Sequence, residues 1–245
     1  MGHQGDFLHG GKMRTLSAHA HPGHRHGRGA RTEMPDIETP GGQASLEPRP
    51  FTLPTKRGPV DVLLYDSPGA KAGVLLAGGV GGGFDTPALR LYPRLGEELL
   101  KHGLSTLRLR YRHPTDLTES VQDVLAGVDF LVERGLERIA LVGHSFGGAV
   151  MIRAGVRSAW VKTVVGLAPQ SYGTEPVPEL HPRSLLLVHG TSDTVLPPRC
   201  SQSIHERARG HKELELIPGA GHVLNEAAEP VFTRVRDWLV HELRG

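Results

Sequence analysis

Residues 139–148 read Ile139-Ala140-Leu141-Val142-Gly143-His144-Ser145-Phe146-Gly147-Gly148, an apolar run that meets a serine with glycine two residues away on either side. Such a stretch is a buried strand entering a helix through one tight turn. A serine at the apex must adopt a strained backbone conformation, and bulky side chains two residues before or after it would collide, so glycine stands at both places. The strain lifts the hydroxyl clear of the sheet edge, where a base can reach it on one side and a substrate on the other. With 32 glycines in 245 residues the chain produces such strings by chance. The strand before it and the helical pattern after it give this one weight.

From residue 49 onward, short apolar segments alternate with helical patterns. Phe51 to Lys56 and Val60 to Tyr65 flank Arg57-Gly58-Pro59, which predicts an antiparallel hairpin at a sheet edge. Further strands are expected at 74–77, 106–109, 139–142, 161–167, 185–188 and 214–217. Helical spacing of Leu91, Leu95, Leu99 and Leu100 predicts a helix over 88–102, and Val121, Val124, Leu125, Val128 and Leu131 predict one over 117–134. Phe232, Val235, Trp238 and Leu239 make the inner stripe of a last helix. The fold class is therefore α/β, with a mostly parallel sheet covered by helices on both faces. Ligands of such sheets sit at the carboxyl ends of the strands, where Ser145 lies.

Residues 1–45 differ. They carry His3, His9, His19, His21, His24 and His26 among Gly, Pro, Arg and Ser, without apolar periodicity. This composition predicts a disordered tail ahead of one domain over 46–245. The stretch from His19 to His26 has the composition of a divalent-metal binder, although a solvated tail is the simpler reading. Cys200 is the only cysteine, which excludes an intrachain disulfide and points to a reducing, cytoplasmic compartment. No apolar run reaches the roughly 20 residues of a membrane span. A net charge of +2 spread along the chain gives no nucleic-acid footprint. The pattern carries no signal of an oligomeric state.

A serine hydroxyl is a poor nucleophile until a base takes its proton. His222, in Pro218-Gly219-Ala220-Gly221-His222 after the last strand, is the candidate base. The base needs an orienting carboxylate. Asp193, just beyond the strand at 185–188, is the candidate, with Glu175 as a rival in the proline-rich run Glu175-Pro176-Val177-Pro178. Charge developing on a carbonyl oxygen needs backbone N–H donors. Phe146 at the helix start supplies one. The second is expected from Val80, or from Gly79, in the run Gly78-Gly79-Val80-Gly81-Gly82-Gly83. That run lacks the ending of a phosphate-binding loop.

These residues carry a resemblance. Through Gly79 to Asp85, Gly143 to Gly148, His189 to Asp193 and Gly219 to His222, the chain resembles the α/β-hydrolase superfamily, near the small dienelactone-hydrolase-like serine esterases. The similarity spans residues 50–243. It implies an eight-stranded sheet, no cofactor and no metal, a small-molecule ester as substrate, and Ser145, Asp193 and His222 as catalytic triad, in the chain order usual for this sheet. Serine at 145, where dienelactone hydrolases carry cysteine, points away from a dienelactone substrate. A thioester or peptide substrate uses the same triad, and a non-catalytic binding protein on the same fold is the alternative of another class.

The 17 residues between Leu167 and Leu185 are too few for a substantial lid, which predicts a serine open to solvent. Phe84, Tyr111, Phe146, Tyr172, Leu196 and Val223 are candidate walls of the pocket. Arg110, Arg112 and His113 are read either as an attraction for an anionic ester or as structurally paired groups. His144 is expected to support its surroundings rather than transfer a proton, and Cys200 to do no chemistry.

Overall fold

Strands whose every residue is apolar or small can serve only the middle of a sheet buried on both faces. The computed structural model describes residues 47–244 and places eight strands in one sheet. They are β1 Arg49–Leu53, β2 Val60–Tyr65, β3 Ala72–Ala77, β4 Leu104–Leu109, β5 Arg138–His144, β6 Val161–Leu167, β7 Ser184–Gly190 and β8 Lys212–Ile217. Their order is β1-β2-β4-β3-β5-β6-β7-β8. The first two pairings are antiparallel, and all the others are parallel. The expected tail over 1–45, with its histidine cluster, lies outside the described residues.

Alternation along the central strands divides the apolar residues between two layers. Leu75, Leu141, Val164 and Leu187 pack on one face beneath α2 (Leu117–Glu133), α3 (Phe146–Arg157) and Ile204 of α4 (Arg199–Arg207). Leu76, Val142, Val165 and Leu186 pack on the other beneath α1 (Leu91–Leu100) and α5 (Ala228–Glu242). Buried polar groups are tied into these layers. The Trp238 indole N–H donates to Thr163 Oγ1 at 2.8 Å, joining α5 to the middle of β6. No helix among the described residues is long and apolar enough to cross a membrane.

Most expected elements appear with extended ends, because main-chain pairing continues past the apolar run that reveals a strand. Two boundaries differ for local reasons. Strand β1 stops at Leu53, since Pro54 has no N–H for the ladder. The first helix begins at Leu91 instead of residue 88, because Ala88, Leu89 and Arg90 lie in left-handed backbone at φ 48°, 46° and 67°. Three such residues in a row cost about 1–2 kcal/mol each. They are held by Thr86 Oγ1, which accepts from the Tyr92 N–H at 2.9 Å, and by bonds to the loop after β8. Helix α2 matches its periodicity and is capped by Asp116, whose carboxylate accepts from the Glu119 N–H at 3.0 Å.

The chain leaves β3 for β4 on one side and returns to β5 on the other. The crevice above the ends of β3 and β5 is therefore the topological switch point of the sheet. Leu141 lies in the strand that carries Ser145 and is fully buried. Leu141→Ala should lose about 2–5 kcal/mol in urea unfolding, whereas Lys162→Ala, at an exposed position of β6, should stay within about 0.5 kcal/mol.

Candidate active site

Ser145 sits between the end of β5 and the start of α3 at φ 56°, ψ −120°. This backbone shape is unfavourable for serine and is fixed from three directions. The Ser145 N–H donates to Leu167 O at 2.8 Å, and its carbonyl accepts from the N–H groups of Gly148 and Gln170. The flanking glycines are steric necessities. A Cβ on Gly143 would lie 2.3 Å from Gly147 O, one on Gly147 would lie 2.3 Å from Gly78 O, and one on Gly148 would meet Pro169 at 2.5 Å. The first turn of α3 is thus pressed onto the loop after β3. In the same loop, a Cβ on Gly79 would stand 3.3 Å from Ser145 Cβ.

Two further loops bring the partners. Ser145 Oγ donates to His222 Nε2 at 3.0 Å, and His222 Nδ1 donates to Asp193 Oδ2 at 2.7 Å. The loops that carry the imidazole and the carboxylate are packed on each other. Ser192 N–H donates to Ala220 O at 3.0 Å, and a Cβ on Gly190 would meet that same oxygen at 2.1 Å. The Asp193 side chain has no exposed surface, and that of His222 is 15% exposed. Asp193 Oδ1 accepts from the N–H groups of Val195 and Leu196, both at 2.8 Å. Burial alone would raise the Asp193 carboxyl. The bonds from His222 and these two amides outweigh it and hold the group below the ordinary carboxylate range. The arrangement can take a proton from Oγ onto an imidazole whose far side is already bound to an anion.

Two other imidazoles belong to the site. His189 is fully buried at the end of β7, and its Nε2–H is shared between Leu196 O at 2.8 Å and Asp193 Oδ2 at 3.1 Å. Its Nδ1 accepts from Ser201 Oγ at 2.7 Å. Sequence reasoning gave His189 no part. The only available signal was its place four residues before Asp193, where a strand end turns sharply back. His144 has the supporting place expected of it: its Nε2–H donates to the His222 carbonyl at 3.0 Å, and the two rings are 4.9 Å apart. Burial pushes both His144 and His189 below the usual histidine value, against the opposing hydrogen bonds each makes.

The remaining expected residues are distributed unevenly. Phe146 opens α3, and first-turn amides have no intrahelical acceptor, so its N–H is free to point at a ligand. Val80 is 56% exposed in the loop beside Ser145. Tyr172 and Val223 are also exposed at this edge. Leu196 contributes its backbone, as described above. Three wall candidates lie elsewhere. The Tyr111 ring is buried edge-on against Phe146 at 6.0 Å, in the layer that α2 and α3 cover. Phe84 lines a hollow with Pro50, Phe51, Thr52, Asp61, Val62 and Leu63, facing the first hairpin. Phe146 is itself only 5% exposed, so its side chain is core.

Arg110 pairs with Asp61, and Arg112 pairs with Asp123 at 2.6 Å and Glu119 at 3.0 Å, so both are structurally committed. Glu175 pairs with Arg153 at 2.9 Å instead of with an imidazole. Between β6 and β7 the only helical element among the described residues is a short 3-10 turn, Val177–Leu180. Ser145 is nonetheless only 9% exposed, which corrects the open serine. Gly79 stands close against its side chain, and the His222 ring is hydrogen-bonded to its hydroxyl. Cys200 is a free thiol on α4. Among the described residues no three His, Cys, Asp or Glu side chains are grouped as a metal ion requires.

No family model and no curated protein matches the sequence. Solved structures do match. The dienelactone hydrolase from Anabaena variabilis superposes with a TM-score of 0.71 at 22% identity, over 81% of this chain and 100% of that one. Est1E from Butyrivibrio proteoclasticus gives 0.69 at 18% identity, over 79% and 98%. The esterase domain of a Rhodothermus marinus protein gives 0.66 at 19% identity, over 80% and 99%. The chain has the α/β-hydrolase fold. Within the α/β-hydrolase fold, Ser145, Asp193 and His222 follow β5, β7 and β8 in that order.

Gly190→Ala should force the two loops apart, with a loss of about 1–3 kcal/mol in denaturant unfolding. The buried imidazoles also set a pH dependence. Each is neutral in the fold and charges in the unfolded chain below about pH 6.5, so the unfolded state binds more protons there. The stability they contribute is complete above that pH and is lost as pH falls toward their lowered values. Thermal melts between about pH 8 and pH 5 should give a level Tm down to about 6.5 and a falling one below it. The fall should be shallower in His189→Gln.

Proposed function

We propose that this protein is a serine hydrolase that cleaves a small carboxylic ester, or a thioester, through an acyl-enzyme. The observation that carries the proposal is the continuous hydrogen-bonded path from Ser145 Oγ through His222 to the buried Asp193 carboxylate, 3.0 Å and 2.7 Å long in its two steps. Attack by Oγ on the ester carbonyl passes the hydroxyl proton to His222 Nε2. Asp193 fixes the Nδ1–H tautomer and stabilises the imidazolium. The Phe146 N–H and an N–H of Val80 or Gly79 receive the charge that develops on the carbonyl oxygen. His222 then protonates the leaving alcohol, which departs. Water, deprotonated by His222, attacks the acyl-enzyme and releases the acid.

His189 and His144 act through these groups as positioning residues. The first adds a donor to the Asp193 oxygen that faces His222. The second holds the His222 backbone in place. Neither requires a cofactor, and the proposed partner is the ester alone.

A fluorophosphonate probe should label Ser145, located by peptide mass spectrometry, and p-nitrophenyl acetate should give a burst of nitrophenol. Ser145→Ala should abolish both, and Asp193→Asn should lower kcat by about 10⁴. Folded protein that leaves Ser145 unlabelled and turns over no ester would defeat the proposal.

A further inference from the structure

Six large apolar side chains are exposed among the described residues: Val80, Leu89, Trp160, Tyr172, Val195 and Val223. Single exposed apolar residues are ordinary, but a concentration at one place is not. All but Trp160 lie in loops that leave the carboxyl ends of β3, β6, β7 and β8, the edge that carries Ser145. Trp160 precedes β6, at the opposite edge.

The segments that carry two of the five, Leu89 and Val223, are hydrogen-bonded to each other through neighbouring groups. The Ala88 N–H donates to Val223 O at 2.7 Å, and the Leu89 N–H donates to Asn225 Oδ1 at 3.0 Å. Leu89 is 60% exposed and Val223 44%. Both elements are strained as well: Leu89 lies at φ 46° and Leu224 at φ 58°. Bulky residues rarely take such backbone, and it persists where the surroundings impose it, typically at ligand clamps. Here the clamp presents a leucine and a valine to solvent, and the valine is the residue next to His222.

We infer that Leu89 and Val223 form an apolar wall for the alcohol portion of the ester. The inference rests on the hydrolase reading above, and it selects esters of alkyl alcohols over esters of polar or charged ones. The side of the ester follows from the chemistry. His222 must deliver its proton to the leaving oxygen, so the alcohol departs past His222, and Val223 is the next residue. The wall is short and has no cap above it, so it covers the first few methylenes of a chain and does not enclose a long one.

The test is kcat/KM for two series followed by proton release: ethyl, butyl and hexyl acetate, and ethyl acetate, butyrate and hexanoate. Leu89→Asn suits the left-handed backbone while removing the apolar surface, and Val223→Thr keeps the side-chain shape. Trp160→Ser, at the far edge, serves as the control. A half-covered methylene gives about a twofold preference. The wild-type hexyl-to-ethyl ratio should therefore be about tenfold or more, and each wall variant should lower it by about three- to fivefold. The ratio in the Trp160 variant should not move.

A hexyl-to-ethyl ratio unmoved by either wall variant, while hydrolysis still depends on Ser145, would overturn the wall and leave the hydrolase standing. A change confined to the acyl series would overturn it too, since the side chains would then serve the acyl group. Absence of any Ser145-dependent ester hydrolysis would remove the hydrolase reading and the wall together.

Discussion

A carboxylate stripped of solvent persists as an anion only where donors replace the water it has lost, and four donors surround Asp193. Two are amides of its own turn, one is the His222 ring and one is the His189 ring. A charge buried without such partners would instead neutralise. With them, Asp193 becomes a fixed negative point around which the ends of β7 and β8 are organised. His222 takes its orientation from that point, and Ser145 Oγ takes a partner from His222. The chemistry proposed for the serine thus depends on electrostatics settled one loop away, beneath the surface.

The sheet makes this assembly possible by bringing the separate loops to one edge. Parallel strands β3, β5, β6, β7 and β8 all end on the same side, so residues far apart in sequence emerge as neighbours. Close packing then sets the fine spacing. Gly147 lets α3 rest on the Gly78 carbonyl, and that contact holds the glycine-rich loop beside the serine. A methyl group at this position would separate the two before any side chain could compensate. Glycine here acts as a spacer of fixed size, and the left-handed conformations that glycine often serves are taken at Ser145 and Leu89 by other residues.

Much of this was legible in the sequence because the signals were periodic or local. Two-sided apolar strands give continuous runs, amphipathic helices give a three-to-four spacing, and the turn at Ser145 gives glycines at fixed offsets. The places of Ser145, Asp193 and His222 after strands were readable too, and the fold brings the three side chains into one hydrogen-bonded chain. What was hidden depended on packing between distant segments. Ala88, Leu89 and Arg90 carry no glycine or asparagine to announce a left-handed run, which is imposed by hydrogen bonds from the loop after β8. Tyr111 reads as a loop aromatic, yet it turns into the core because Phe146 leaves room for its ring edge. His189 reads as the end of an apolar strand, and its part emerges only when the following turn folds back over it.

The contact between Gly190 and the Ala220 carbonyl has a mechanical consequence. With no free volume between them, the two turns move as one plate, and thermal motion that shifts the imidazole carries its counter-ion along. The distance that can breathe is the other one, across the gap between plate and elbow. For the proposed hydrolysis this leaves the 3.0 Å step from Ser145 to His222 as the adjustable one and the 2.7 Å step from His222 to Asp193 as the fixed one.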